Sequence, residues 1–214
     1  VGPVARQSSG VFDRFWNSEW VVPVKALGIP STREDLRREY APMREKLAAS
    51  PSLLGFVLDS RDWSVALAKL PGQMHPGTSR VHTDSPDKDA LNHHMPSAIR
   101  ELVGGAQREV LVTNAYIIPD EAVVRQIQDQ SARGVKFRIL TNSLASHDVP
   151  AVNSHYKQWR KPLIEAGVDL YEMRSDAAVQ PLLADTPPTK AKFMGLHVKA
   201  MVIDRERVFI GSMN

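Results

Sequence analysis

Apolar residues recur along this chain with two different periods, and the change from one to the other divides it. Near the amino terminus Val11, Phe12, Phe15 and Trp16 follow the three-and-four spacing that gathers one face of a helix, and residues 1 to 70 read as a helical segment. Ser31 stands three residues before Glu34, a capping-box spacing, and predicts a helix running to about Ala49 with Pro42 bending it. The charged residues Glu34, Arg38, Arg44, Glu45 and Lys46 form its wet face. Residues 71 to 91 are rich in Pro, Gly, Ser, Asp and His and read as a linker, crossed at most by a short strand near Arg80 to Thr83.

Beyond the linker the pattern becomes regular. Pro96 to Gly104 predicts a helix, Glu109 to Thr113 a buried strand, and Pro119 to Arg133 a helix with proline in its first turn and Gly134 as its stop. Val135, Phe137 and Ile139 then alternate with Lys136 and Arg138, as one face of a strand does. The unit repeats with a helix from about Val149 to Ala166, Gly167 as its stop, and a strand from Val168 to Tyr171, while 175 to 195 reads as a loop. Such alternation predicts an α/β fold over 92 to 214: a mostly parallel or mixed sheet flanked by helices on both faces, following the helical segment.

Composition narrows the chemistry by exclusion. The 214 residues are 43% apolar, enough for a sizeable core. There is no cysteine, which removes disulfides, thiolate zinc sites and a thiol nucleophile. The charge is only +3, from 27 basic and 24 acidic residues, without the basic stripe that nucleic-acid binding needs. Apolar runs such as Val110 to Val112 fall far short of the roughly 18 residues of a membrane span, so any membrane contact of these residues is peripheral.

The chemistry concentrates in the last eighteen positions. His197 and Lys199, two apart on a strand, project to one face, while Val198, Ala200 and Val202 point into the opposite layer. Asp204 closes the strand, Arg205 and Glu206 turn into Arg207 to Ile210, and Gly211, Ser212 and Asn214 return the chain toward His197. An imidazole can attack phosphorus or move a proton, and an ammonium stabilises the negative charge of a phosphorus transition state. Glycine lets a substrate oxygen approach closely, and the hydroxyl of Ser212 and amide of Asn214 can hydrogen-bond it. His197, Lys199, Asp204, Ser212 and Asn214 are therefore the candidate catalytic set, with Asp204 expected to anchor the motif rather than to carry protons.

Gly211, Tyr116 and Asn142 are candidate substrate contacts, the last two because open sheets bind ligands at the carboxyl ends of strands. Ser143, Ser146 and Asp148 read as caps of the following helix. His155 and Lys157 repeat the two-residue spacing, but Pro162 stands where an aspartate would be needed. His93 and His94 have no partner at ligand spacing, and no carboxylate cluster suits magnesium, so neither metal nor cofactor is expected.

The full pattern, His-x-Lys, four residues, Asp, six residues, Gly-Ser-x-Asn, resembles the signature of the phospholipase D superfamily. The segments around Asn114 to Pro119 and Thr141 to Tyr156 resemble its bacterial cardiolipin synthase branch, and Phe12 to Trp20 resembles the stretch just after the first motif in that branch. Members of that branch carry two motifs. This chain holds one, and the resemblance marks it as an internal piece holding the second.

The resemblance implies two motifs facing each other across a pseudo-twofold axis, one histidine forming a phosphohistidine and the other protonating the leaving alcohol and activating the acceptor. It assigns His197 the acid and base work and puts the nucleophile in the missing first half or in a second copy of the chain. It further implies a phosphatidyltransferase that acts on phosphatidylglycerol or a similar phospholipid to give cardiolipin, peripheral to the bacterial cytoplasmic membrane. Hydrolysis is the near neighbour, a dimeric single-motif nuclease the next, and an inert interaction fragment the last alternative.

Overall fold

A computed structural model of the chain describes residues 2–28, 32–49, 63–86, 94–176, 178 and 194–212. They fall into two compact units, Val1–His93 and His94–Asn214.

The first unit is built of helices α1 (Pro3–Trp16), α2 (Arg33–Ala48) and α3 (Trp63–Lys69), with short 3-10 turns at Val24–Leu27 and Leu70–Gln73. Phe12 and Trp16 stack on the expected face of α1, ring centroids 5.4 Å apart. The capping box lies one residue later than expected, on Thr32 and Asp35: the Asp35 amide donates to Thr32 Oγ1, and the Thr32 amide to Asp35 Oδ2. Ser31 lies outside the described residues. The stretch Arg80 to Thr83 is irregular rather than a strand, and its Val81 amide donates to Gln7 Oε1 at 2.7 Å. None of the described residues of this unit is buried.

The second unit holds the core. Its strands are β1 (Glu109–Asn114), β2 (Lys136–Asn142), β3 (Val168–Met173), β4 (Lys199–Ile203) and β5 (Arg207–Ile210), in the spatial order β3-β2-β1-β4-β5. β1 with β2 and β2 with β3 pair in parallel, while β1 with β4 and β4 with β5 are antiparallel. The sheet is mixed and the fold is α/β. The helices are α4 (His94–Gly104), α5 (Glu121–Ala132), α6 (Pro150–Tyr156) and α7 (Arg160–Glu165).

Three boundaries show local chemistry at work. Pro119 sits outside α5, because Asp120 takes the cap and its side chain accepts from the Val123 amide at 2.8 Å. The helix expected from Val149 to Ala166 is interrupted by a 3-10 turn at Lys157–Trp159. Pro162 has no amide hydrogen, and the interruption places it in the first turn of α7, where that donor is not needed. Gly134 and Gly167 end α5 and α7 at φ +93° and +96°, a left-handed geometry that a side chain resists.

Alternation decides the burial. Val110 of β1, Phe137 and Ile139 of β2, Val168 of β3 and Ile203 of β4 are buried on one face, against Ile127 of α5 and Leu163 of α7. The core-building helices pack on this face. On the opposite face Leu111, Leu140 and Val202 are half-buried and Tyr171 of β3 is exposed, as are Val208 and Ile210 of β5, whose edge is antiparallel.

Candidate active site

β4 lies between β1 and β5, so the residue opening it is held from both sides. Lys199 pairs with Asn114, the Ala115 amide donates to the Val198 carbonyl at 3.0 Å, and the Gly211 amide donates to the Lys199 carbonyl at 3.1 Å. Just upstream, Asn142 at the end of β2 clamps the chain. Its Oδ1 accepts from the Leu196 amide at 2.8 Å, and its Nδ2 donates to the Leu196 carbonyl at 2.9 Å and the Ala115 carbonyl at 3.1 Å. Oδ1 also accepts from Ser146 Oγ, and the side chain is buried. Both ends of the Asn142 amide are thus engaged by protein groups, and the side chain fixes the residue before His197.

His197 itself is exposed, while Lys199 is only 8% exposed. Lys199 Nζ lies 3.3 Å from His197 Nε2 and 3.2 Å from the His197 carbonyl oxygen. An ammonium has only protons to give, so Nε2 faces it as acceptor. Both sit on Tyr116: the ammonium is 5.1 Å from the ring centroid, and the His197 ring meets Tyr116 edge-on at 6.0 Å. The buried Tyr116 hydroxyl donates to both oxygens of Asp148, at 2.7 and 2.8 Å.

That hydrogen bond raises the Tyr116 phenol above its ordinary range and holds the Asp148 carboxylate below its own, helped by the nearby imidazoles of His147 and His197. His147 also packs against Tyr116, 5.3 Å between centroids, and its Nδ1 accepts from the Val149 amide. Asp148 therefore does not cap α6, whose cap position is Val149. Ser143 and Ser146 do form a capping box, around the 3-10 turn Leu144–Ser146. The pairing of Asp148 with Tyr116 is not foreseen by periodicity or capping rules. Its only linear trace is a carboxylate beside a histidine just beyond a strand end.

Asp204 lies elsewhere. Five residues beyond Lys199 along a strand is roughly 17 Å, too far to share a phosphate with it. The carboxylate is buried in a cradle of main-chain donors at the start of β1, accepting from the amides of Glu109 at 3.0 Å, Gln107 at 3.0 Å and Arg108 at 2.7 Å, and from Arg207 Nη2 at 3.2 Å. These bonds, that from Glu109 foremost, pull it from the ordinary 3.8 down to about 2. Asp204 and Arg205 make the turn at φ +55° and +62°, unfavourable for both, and the cradle holds the first of them there. Asp204 thus sits at the turn of the hairpin, held there by main-chain donors.

At the other end of the hairpin Gly211 lies over Phe209. A Cβ there would come within 2.7 Å of the Phe209 ring, so a side chain would force the ring to move. Ser212 is exposed next to it, and Asn214 lies outside the described residues.

The family model described as "Cardiolipin synthase, PLD-like domain" matches residues 99–214. Cardiolipin synthase C of Escherichia coli (strain K12) is 30% identical over all of this chain and 46% of its own length. An uncharacterized protein of Helicobacter pylori (strain ATCC 700392 / 26695) is 26% identical over all of this chain and 42% of its own length. Cardiolipin synthase A of Pseudomonas aeruginosa (strain LESB58) is 30% identical over 53% of this chain and 19% of its own. Among solved structures, NucT from Helicobacter pylori aligns with a TM-score of 0.40 at 18% identity, covering 58% of this chain and 70% of that one. The chain spans a little under half the length of the curated relatives that match it throughout.

Proposed function

The chain belongs to the family of cardiolipin synthases with a phospholipase D-like domain, and from that premise we propose that it forms one half of a phosphatidyltransferase site in a longer protein. Its chemistry is phosphodiester exchange of the phospholipase D type. The observation that carries the reading is the approach of Lys199 Nζ to His197 Nε2, 3.3 Å, at the start of β4 and backed by Tyr116.

In the first step a histidine from outside these residues, in the first-motif half or a second copy of the chain, attacks phosphorus. The bond to the leaving glycerol oxygen breaks, and His197 gives that oxygen its proton. In the second step His197 takes the proton of an acceptor hydroxyl, whose oxygen attacks phosphorus as the phosphorus–nitrogen bond breaks. Lys199 neutralises charge on the non-bridging oxygens in both steps. Ser212 and Asn214 hydrogen-bond those oxygens, Gly211 leaves room for them, and Tyr116 backs the His197 and Lys199 side chains. Asn142 and Asp204 position the strand. With phosphatidylglycerol as donor and acceptor, the product is cardiolipin.

No described helix is long and apolar enough to cross a membrane. The substrate is met at the surface of a bacterial cytoplasmic membrane, by peripheral contact.

The test is the full-length protein on phosphatidylglycerol vesicles, with lipids resolved by mass spectrometry. His197→Ala is expected to lower cardiolipin formation by roughly 10²- to 10⁴-fold. Undiminished turnover by that variant would sink the assignment, and phosphatidic acid as the sole product of the wild type would replace transfer by hydrolysis.

A further inference from the structure

Between the core-facing side of the sheet and helices α4 and α5 lies a cavity of about 370 Å³. Ile99 and Val103 of α4, Val123 and Ile127 of α5, and Val112 and Met201 of the sheet give it apolar walls. Asn114, Tyr116 and Lys199 also line it, which joins it to the site just described. Strand register orders these residues: Asn114 pairs with Lys199, Val112 with Met201 and Val110 with Ile203. Away from Lys199 the sheet lining is therefore wholly apolar, and the four positions from Asn114 to Val110 span roughly 13 Å.

Protein interiors leave few voids larger than a water molecule, so a space of this size is more than loose packing. It falls at the small end of ligand pockets, which run from about 300 to 1,000 Å³. Its other polar lining is already paired: Arg100 with Asp120 at 3.3 Å, and Gln126 Nε2 with the Arg100 carbonyl at 3.0 Å. A nucleobase would find few free hydrogen-bonding groups along these walls, whereas an alkyl chain needs none.

We propose that this cavity lodges the proximal segment of one acyl chain of the phosphatidyl group, with the phosphate held at its Lys199 end. The proposal rests on the phosphodiester reading above and adds to it where the lipid goes. One chain fits and the second stays outside, because the volume is that of a single narrow ligand.

The experiment is calorimetric titration of the full-length protein with water-soluble phosphatidylglycerols, from butanoyl to octanoyl, below their micelle-forming concentrations, with chainless glycerophosphoglycerol as reference. Affinity is expected to rise about four-fold for each methylene added to the lodged chain and then level off as the cavity fills. Ile99→Trp, which fills the cavity, is expected to flatten the series while leaving glycerophosphoglycerol affinity unchanged. Val123→Phe narrows the same space from α5 and serves if the first variant loses the wild-type thermal transition.

A flat series in the wild type, or an equally steep one in both filled variants, overturns the acyl site. If glycerophosphoglycerol still binds in that case and Lys199→Ala weakens it, the phosphodiester reading survives. Absence of binding by every ligand overturns both.

Discussion

The side chain that most changes the picture is Asp148. As a residue in a polar run it reads as a helix cap, yet in the fold it fastens the hydroxyl of Tyr116 with both oxygens, and Tyr116 carries His197 and Lys199 on its ring. Asp148 reaches His197 and Lys199 through Tyr116, and we assign it a positioning role. Removing it frees a buried aromatic to rotate, and small misplacements at a reacting centre are costly in rate. For the full-length protein we expect Asp148→Ala to lower kcat roughly ten- to a hundred-fold with a smaller change in KM. Asp148→Asn keeps an acceptor for the Tyr116 hydroxyl and should recover much of the loss. Equal losses in the two variants, or a change in KM alone, would show that Asp148 does not act through Tyr116. His197 and Lys199 were legible as a pair because strand periodicity alone puts i and i+2 together. The contact from Tyr116 to Asp148 joins residues 32 apart through two loops, and no local period encodes it.

At the scale of the element, the hairpin β4–β5 is held at its two ends by different means. Asn142 and the Ala115 and Gly211 amides hold the His197 end, and the Asp204 cradle holds the turn. Since folding lowers the Asp204 carboxyl from 3.8 to about 2, the unfolded chain takes up its proton first as pH falls. The stabilisation from this group is complete above the unfolded value and is lost as pH drops from about 4 to about 2. Thermal unfolding of the chain followed across that window should show the loss. Asp204→Asn should melt lower than wild type at neutral pH and show a shallower decline in acid; an identical slope for the two proteins would remove Asp204 as its cause. The sequence already placed Asp204 at a strand end. What it could not give was the partner, because the three amides belong to the start of β1, nearly a hundred positions away.

At the scale of the whole molecule, a single complete motif, His197 to Asp204, offers one histidine where the proposed exchange uses two. The chain matches its curated relatives over less than half of their length. We therefore expect the 214-residue chain alone to make no cardiolipin from phosphatidylglycerol under conditions where the longer protein does. Turnover by the chain alone, at a rate proportional to its concentration squared, would instead point to a site completed by a second copy. Much of the architecture was readable beforehand, since Val135, Phe137 and Ile139 alternate as a buried strand face must, and Gly134 and Gly167 end helices where left-handed backbone is needed. These are local signals, produced by side-chain periodicity and backbone sterics within a few residues. The antiparallel docking of β4 against β1, the main-chain cradle of Asp204, the engagement of Asn142 and the cavity beside Lys199 depend on which distant strands pair and in what register. Those were decided only when the core-facing sides of β1 to β4 closed on α5 and α7, because burial selects among pairings that the linear pattern leaves equivalent.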